Sequence, residues 1–178
     1  MDPDRILVRL AKHGNRAAFG KLAQKYRDQV LALTFDFLKD YESAKDIAQD
    51  VFIKAFKNMR DFEEKAQFSS WLYRITVNAC LDAQKRVKNR PETRIESSEH
   101  ETAEQRVKEN NQLDSIDDTM AYALEQLSNN QRTAVILRYF HDKTIQEIAE
   151  VIDCAESTVR IHLHRAMQKM SNIFKVEG

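Results

Sequence analysis

Apolar residues from position 15 onward recur at steps of three and four: Phe19, Leu22, Tyr26, Val30, Leu33 and Phe37. That period places one stripe along one side of an α-helix, and Asn15 carries the short polar side chain that caps a first turn. Residues 4–12 read as a shorter helix before it. Asp40 caps the next helix, with Ala44, Ile47, Ala48, Val51 and Ala55 turned inward. The opposite side of that helix shows Asp46, Gln49, Asp50 and Lys54, together with Ile53. The period stops over residues 58–67, and Ser69 or Ser70 restarts a helix that runs to about Lys88. After a stretch poor in large apolar residues, a helix is expected over residues 119–127. Ser128 with Gln131, and Thr144 with Glu147, each have capping-box spacing at the start of a periodic apolar run. A short break at residues 153–155 precedes a last helix over residues 156–174.

Composition narrows the fold to helices. The 178 residues hold only 3 glycines and 2 prolines. Sheets and long loops need the positive φ of glycine and the fixed turn of proline. The expected fold class is therefore all-α, as two small helical domains joined by a flexible linker. Gly14, Gly20 and Gly178 have no spacing that would build a phosphate-cradling loop.

Charge changes the picture only when it is resolved along the chain. Lys and Arg total 28 and Asp and Glu total 28, for a net charge of zero. A neutral chain argues at first against a nucleic-acid partner. By segment, residues 85–94 carry net +4, residues 95–118 net −6 and residues 157–178 net +3. The zero is thus a cancellation between two basic helix ends and an acidic middle. In residues 92–112 only Ile95 and Val107 are large aliphatics, too few to offset chain entropy. The division expected is residues 1–91, an acidic flexible linker at 92–117, and residues 118–178. Cys80 and Cys154 are too few for a disulfide framework or a four-cysteine zinc site. The beginning has no apolar signal core after a basic stretch, and no run approaches a membrane span. The expectation is a soluble, cytoplasmic protein with no direct membrane insertion.

The second block has the order of a helix-turn-helix. Ile145–Ile152 supplies the support, residues 153–155 the turn, and residues 156–174 the exposed helix. Ile148, Ala149 and Ile152 are placed to pack on Val159 and Leu163. Thr158, Arg160, Ile161, His162, His164, Arg165 and Lys169 are left for the outer faces. Arginine can pair with guanine or phosphate, and hydroxyls and lysine suit the DNA backbone. A basic helix end solvated by water is the plain alternative, since cations suit that end of the dipole.

Three stretches carry a family likeness. Ser43-Ala44-Lys45-Asp46-Ile47-Ala48-Gln49-Asp50-Val51-Phe52, Phe68-Ser69-Ser70-Trp71-Leu72-Tyr73-Arg74-Ile75, and a helix-turn-helix ending Leu163-His164-Arg165-Ala166 stand in this order. Together they resemble the bacterial sigma-70 family, in its small extracytoplasmic function (ECF) members. The resemblance covers about residues 10–90 (region 2) and 118–174 (region 4). It implies an initiation factor that binds core RNA polymerase, directs it to promoter DNA and helps melt the minus-ten element. Asp46, Gln49, Asp50 and Ile53 would meet the beta-prime clamp helices, and region 4 the beta flap. Trp71, Arg74, Asn78, Lys85 and Arg86 would read and grip the minus-ten element, with residues 58–67 capturing a flipped base. Asp82 shares the stripe of Trp71, Arg74, Asn78 and Lys85. Ser157, Thr158, Arg160, His162, His164, Arg165 and Lys169 would face the minus-thirty-five element. An anti-sigma factor that covers the docking faces is also implied. Lys45, Ala155, Ser157 and His162 depart from residues frequent in the family at those places. No catalytic constellation, cofactor motif or metal-ligand spacing is found. The alternative reading is a conventional helix-turn-helix regulator that binds duplex DNA without loading on polymerase. An all-helical adaptor would leave both basic helix ends unexplained, and an enzyme lacks a site.

Overall fold

A computed structural model describes residues 4–63, 65–89 and 112–176, with side chains in the last span from Thr119 to Lys175. The linker expected at 92–117 lies almost wholly outside the described residues. Eight α-helices and no strand occur among the described residues. The first block holds α1 (Arg5–Lys12), α2 (Arg16–Leu38), α3 (Tyr41–Asn58) and α4 (Phe68–Lys88). The second holds α5 (Gln112–Glu125), α6 (Asn129–Val135), α7 (Ile145–Ile152) and α8 (Glu156–Val176).

Short polar side chains open the helices where the sequence placed them. Asn15 accepts from the Ala18 N–H at 3.0 Å, and Asp40 from the Ser43 N–H at 2.9 Å. Bonds from Ser43 hold the Asp40 carboxyl below its ordinary value. Both capping boxes close reciprocally, Ser128 with Gln131 and Thr144 with Glu147. Gly14 makes the turn between α1 and α2 at φ +88, where a side chain would be strained.

Two helix starts differ from the expectation. The fourth helix begins at Phe68, with extended Gln67 before it, and not at Ser69 or Ser70. Ser70 is buried inside the first turn and its Oγ has no partner, so it caps nothing. Helix α5 begins at Gln112, seven residues before Thr119. Residues 112–118 contain no glycine or proline to break the helix. One feature had no local signal: α6 widens into a π-turn, Ile136–Phe140, before Asp142 reverses the chain at φ +50.

The core lies in three clusters. Leu22, Tyr26, Val30, Val51, Ala55, Phe62, Phe68 and Leu72 bury against one another inside the first block. Leu124, Leu127, Val135, Ala166 and Met170 do so inside the second. The third cluster joins the blocks: Leu33, Phe37, Tyr73, Val77 and Cys80 pack with Ala134, Leu137, Ile148, Ala149, Val151 and Val159. Helix α4 therefore lies against α7, and the two blocks form one closed body. Ala149, buried in this seam, lets the helices approach closely.

Polar contacts fix that closure. Arg132 on α6 donates to the Phe37 carbonyl at 2.6 Å, which also accepts from Gln84 at 2.7 Å. The Arg132 guanidinium stands 5.5 Å from the Phe37 ring centre. His141 Nε2 meets Asp36 Oδ2 at 2.9 Å. Lys143 Nζ lies 4.5 Å from the centre of the Tyr73 ring.

Candidate nucleic-acid and docking interface

The α3 face is built by its inward stripe. Ala44, Ala48, Val51 and Ala55 are buried on α2, which leaves Asp46, Gln49, Asp50 and Ile53 exposed. Asp46, Gln49 and Ile53 line a groove of about 770 Å³ between α2 and α3. Asp50 is exposed but does not line it. The groove also has an apolar floor and walls that the charge pattern did not reveal: Phe19, Leu31, Phe52, Tyr41 and Phe56. Tyr41, Ile53 and Phe56 remain 54%, 44% and 42% exposed, a large apolar patch for a solvated helix pair. Arg27, Lys45 and Lys57 stand at its rim with Asp46, so the border is charged with both signs.

The expected minus-ten residues follow α4. Trp71 packs on the edge of the first core, its ring 4.8 Å from Phe62 and 5.7 Å from Phe68 between centres. It is half-buried, so it serves the core and keeps an exposed edge. Asn78, Lys85 and Arg86 are exposed on the following turns. Arg74 lies on the same stripe but faces the second block. Its Nε and Nη2 donate to the Glu150 carbonyl, the former at 3.1 Å, and Nη2 lies 3.3 Å from Asp153 Oδ1.

A pocket of about 410 Å³ adjoins the loop between α3 and α4. Arg5, Val8, Phe62, Lys65, Ala66 and Gln67 line it from the first block, and Gln146 and Glu150 from α7. No sequence period marks these residues, because α1, the loop and α7 are brought together only by the fold.

The helix-turn-helix forms with α7, a left-handed Asp153 at φ +57, and α8. Val159 and Ala166 form the buried side of α8. Ser157, Arg160, His164, Arg165 and Lys169 are exposed, and Thr158 and His162 half-buried. Arg160 rests 3.4 Å from Glu156 one turn earlier, an exposed pair of little strength. Lys169 reaches the Gln126 carbonyl at 3.4 Å.

Burial raises three further groups. Burial pushes the Cys80 thiol up to about 12, against the opposing charge of Arg132. Tyr73 is likewise pushed up to about 12 by burial and then by the Glu147 carboxylate. Cys154 is raised by burial and by Asp153. Thiols so raised are poor nucleophiles. No group of His, Cys, Asp and Glu suited to a metal occurs among the described residues, and none of their helices is long and apolar enough to cross a membrane.

Known families agree with this architecture. Residues 22–90 match the sigma-70 region 2 model, and residues 118–170 the sigma-70 region 4 model. The RNA polymerase sigma-H factor of Pseudomonas aeruginosa is 31% identical over 176 residues, covering 94% of this chain and 91% of that protein. The ECF RNA polymerase sigma factor SigW of Bacillus subtilis is 26% identical over 174 residues, covering 92% of each. Among solved structures, CnrH in complex with the cytosolic domain of CnrY aligns over 98% of this chain and 99% of that one. The TM-score is 0.73 at 24% identity, a likeness of fold. The sigma factor RpoE of Bartonella quintana, solved with the anti-sigma factor NepR, gives a TM-score of 0.63 over 90% of this chain and 98% of that one, at 24% identity. With both regions matched in order and a relative similar along nearly its whole length, the chain belongs to the sigma-70 family, among its extracytoplasmic function sigma factors.

Proposed function

We propose that this chain is a non-enzymatic initiation factor that acts in the cytoplasm. It docks on core RNA polymerase, brings it to promoter DNA and traps unpaired bases of the minus-ten element, while the polymerase performs the chemistry. Residues 1–91 serve docking and minus-ten recognition, residues 118–178 minus-thirty-five recognition, and the acidic residues 92–117 connect them.

The observation that carries this reading is the α2/α3 groove. A solvated helix pair has no reason to leave Tyr41, Ile53 and Phe56 exposed beside a groove rimmed by Asp46, Lys45 and Arg27. A helical partner that buries an apolar seam and meets those charges has such a reason. The beta-prime clamp helices are the partner expected here, with Asp46, Gln49, Asp50 and Ile53 as contacts. The beta flap is the expected partner of the second block. An anti-sigma factor competing for the same faces suits the fold relatives, one of which was solved with such a partner.

On the DNA side, Trp71 offers an aromatic edge for stacking, and Arg74 and Asn78 offer donors for base edges. Flipping a base costs a few kcal/mol and needs a pocket. The loop-side pocket with Gln67 and Lys65 supplies one. Lys85 and Arg86 grip phosphates. Ser157, Thr158, Arg160, His162, His164, Arg165 and Lys169 face the minus-thirty-five element. The test is binding of the purified chain to core polymerase, with Asp46→Arg as the variant. Affinity unchanged by that reversal in a folded protein would remove the docking face.

A further inference from the structure

The chain has three glycines, and one of them has no task in the fold. Gly14 makes the turn between α1 and α2 at φ +88. Gly178 lies outside the described residues. Gly20 sits in the second turn of α2, with no positive φ. It is exposed, and a Cβ placed on it would meet nothing within 4 Å. After proline, glycine is the poorest helix former, because it loses the most backbone freedom and leaves the backbone open to water. Neither a turn nor a close neighbour within the chain calls for it at this position.

Helix geometry puts Gly20 in line with the α2/α3 groove. Gly20, Gln24, Arg27 and Leu31 follow one another at steps of four, three and four, which is one stripe. The last three line the groove, so Gly20 continues the α2 wall by one more turn. Its neighbour Phe19 sets its ring 5.1 Å from that of Phe56, near the end of α3. The α2 wall thus drops from side-chain height to bare backbone where the groove ends. Side chains keep packed helices about 8–10 Å apart. Over a glycine a second backbone can come closer and meet the first through Cα–H···O contacts.

Charge also changes along the groove. The carboxylate of Asp46 stands toward the start of α3. At the Gly20 end the exposed charges are cations: Arg16 one turn before it, Lys21 beside it, and Lys57 at the end of α3. A partner that fits this end carries carboxylates there.

We propose that Gly20 is the crossing point of the docked partner. A helix of core polymerase lies along the groove and leaves it over Gly20, backbone against backbone, with acidic side chains toward Arg16, Lys21 and Lys57. This rests on the docking role given to the groove above. Gly20 gives up helix stability to leave room for the crossing. A side chain at this position therefore strengthens the free fold and weakens the complex, two effects of opposite sign from one substitution.

The test sets stability against affinity in the full chain. Gly20→Ala, Gly20→Gln and Gly20→Leu each introduce a good helix former. Every variant, labelled with a fluorophore, is titrated with core polymerase and followed by anisotropy, beside a thermal melt. Asp46→Arg, toward the other end of the groove, reports on the docking role independently.

The Tm is expected to rise by about 2–4 °C in all three Gly20 variants. Affinity is expected to fall at least about fivefold for Gly20→Gln and Gly20→Leu alike, as in an overfilled contact, and least for Gly20→Ala. Arg16→Glu combined with Lys57→Glu is expected to weaken binding at least about threefold. Gly20→Gln and Gly20→Leu that bind within twofold of the parent, while Asp46→Arg binds weakly, would overturn the crossing and leave the groove in place. Unchanged affinity in the Gly20 variants and in Asp46→Arg together would remove the docking role, and the crossing with it. A lower Tm in Gly20→Leu would show that the glycine serves the fold, which also overturns the crossing. A charge-reversed pair that binds as the parent does would overturn the acidic character of the partner helix.

Discussion

Ile53 is the sharpest probe of the proposed docking groove. It is 44% exposed, so just under half of its surface remains for a partner to cover. Fully burying an isoleucine side chain is worth about 1.5–3 kcal/mol. Covering the remaining part contributes about 1 kcal/mol, and Ile53→Ala should weaken binding roughly fivefold. Phe56 would be a poorer choice, since its ring stands 5.1 Å from that of Phe19 and its loss would disturb the packing of α2 on α3. Ile53 is not part of the buried stripe, so its truncation should change stability by less than about 0.5 kcal/mol. The assay is a titration of labelled chain with core polymerase, beside a thermal melt of the same variant. A fivefold loss with an unchanged Tm supports the groove. An affinity within twofold of the parent would refute the reasoning, because the exposed apolar surface would then have no partner there. A fall in Tm would show instead that Ile53 belongs to the fold.

Other outcomes follow from named contacts. Thr144→Ala removes a capping box in which the Thr144 Oγ accepts from the Glu147 N–H at 3.2 Å and the Glu147 carboxylate accepts from the Thr144 N–H at 2.8 Å. Such a loss costs about 1 kcal/mol and lowers the Tm by about 2–4 °C, measured by calorimetry. Burial raises the pKa of Glu147, but bonds from Thr144 and Lys143 outweigh it and hold the carboxyl below its ordinary 4.5. Its contribution is therefore present above that value and lost as pH falls through the lower folded value. Acid denaturation of Glu147→Gln should accordingly be shallower over that range, and an unchanged curve would count against the bonds. Lys85→Ala and Arg86→Ala should each lower the salt slope of DNA binding by about 0.9 without changing sequence preference. A shifted preference would mean that they read bases.

Local signals were legible where a residue acts on its own turn. Asn15, Asp40, Ser128 and Thr144 cap because their oxygens reach an N–H three residues on, whatever the rest of the chain does. The stripe from Phe19 to Phe37 is likewise a property of one helix. Ser70 shows the limit: its residue type suits a cap, but burial of its first turn put it inside the helix. Arg74 shows a deeper one. Its place on the α4 stripe was readable, but a guanidinium looks the same in sequence whether a base or the Glu150 carbonyl will meet it. Charge also hid half of the groove proposed for docking. Asp46 and Gln49 are readable as the polar side of α3, whereas Tyr41, Phe52 and Phe56 read as ordinary apolar residues until α2 and α3 set them around one opening.

The neutral total charge now has a structural setting. The basic end of α4, with Lys85, Arg86 and Lys88, lies on the surface beside a stripe whose Arg74 is bonded to the second block. Under the proposed function the chain leaves random duplex mostly alone until polymerase positions it, and tight, salt-sensitive binding of the isolated chain to random duplex would count against that reading.

Promoter-directed transcription tests the central claim most directly. The purified chain is mixed with core polymerase and genomic DNA from its source, and transcript starts are mapped. Starts should cluster at a fixed distance downstream of a shared minus-ten and minus-thirty-five pair, appear only when the chain is present, and vanish with Arg74→Ala. Binding of the chain to duplex sites without polymerase, with no new transcript from any template, would contradict the account and point to a conventional helix-turn-helix regulator.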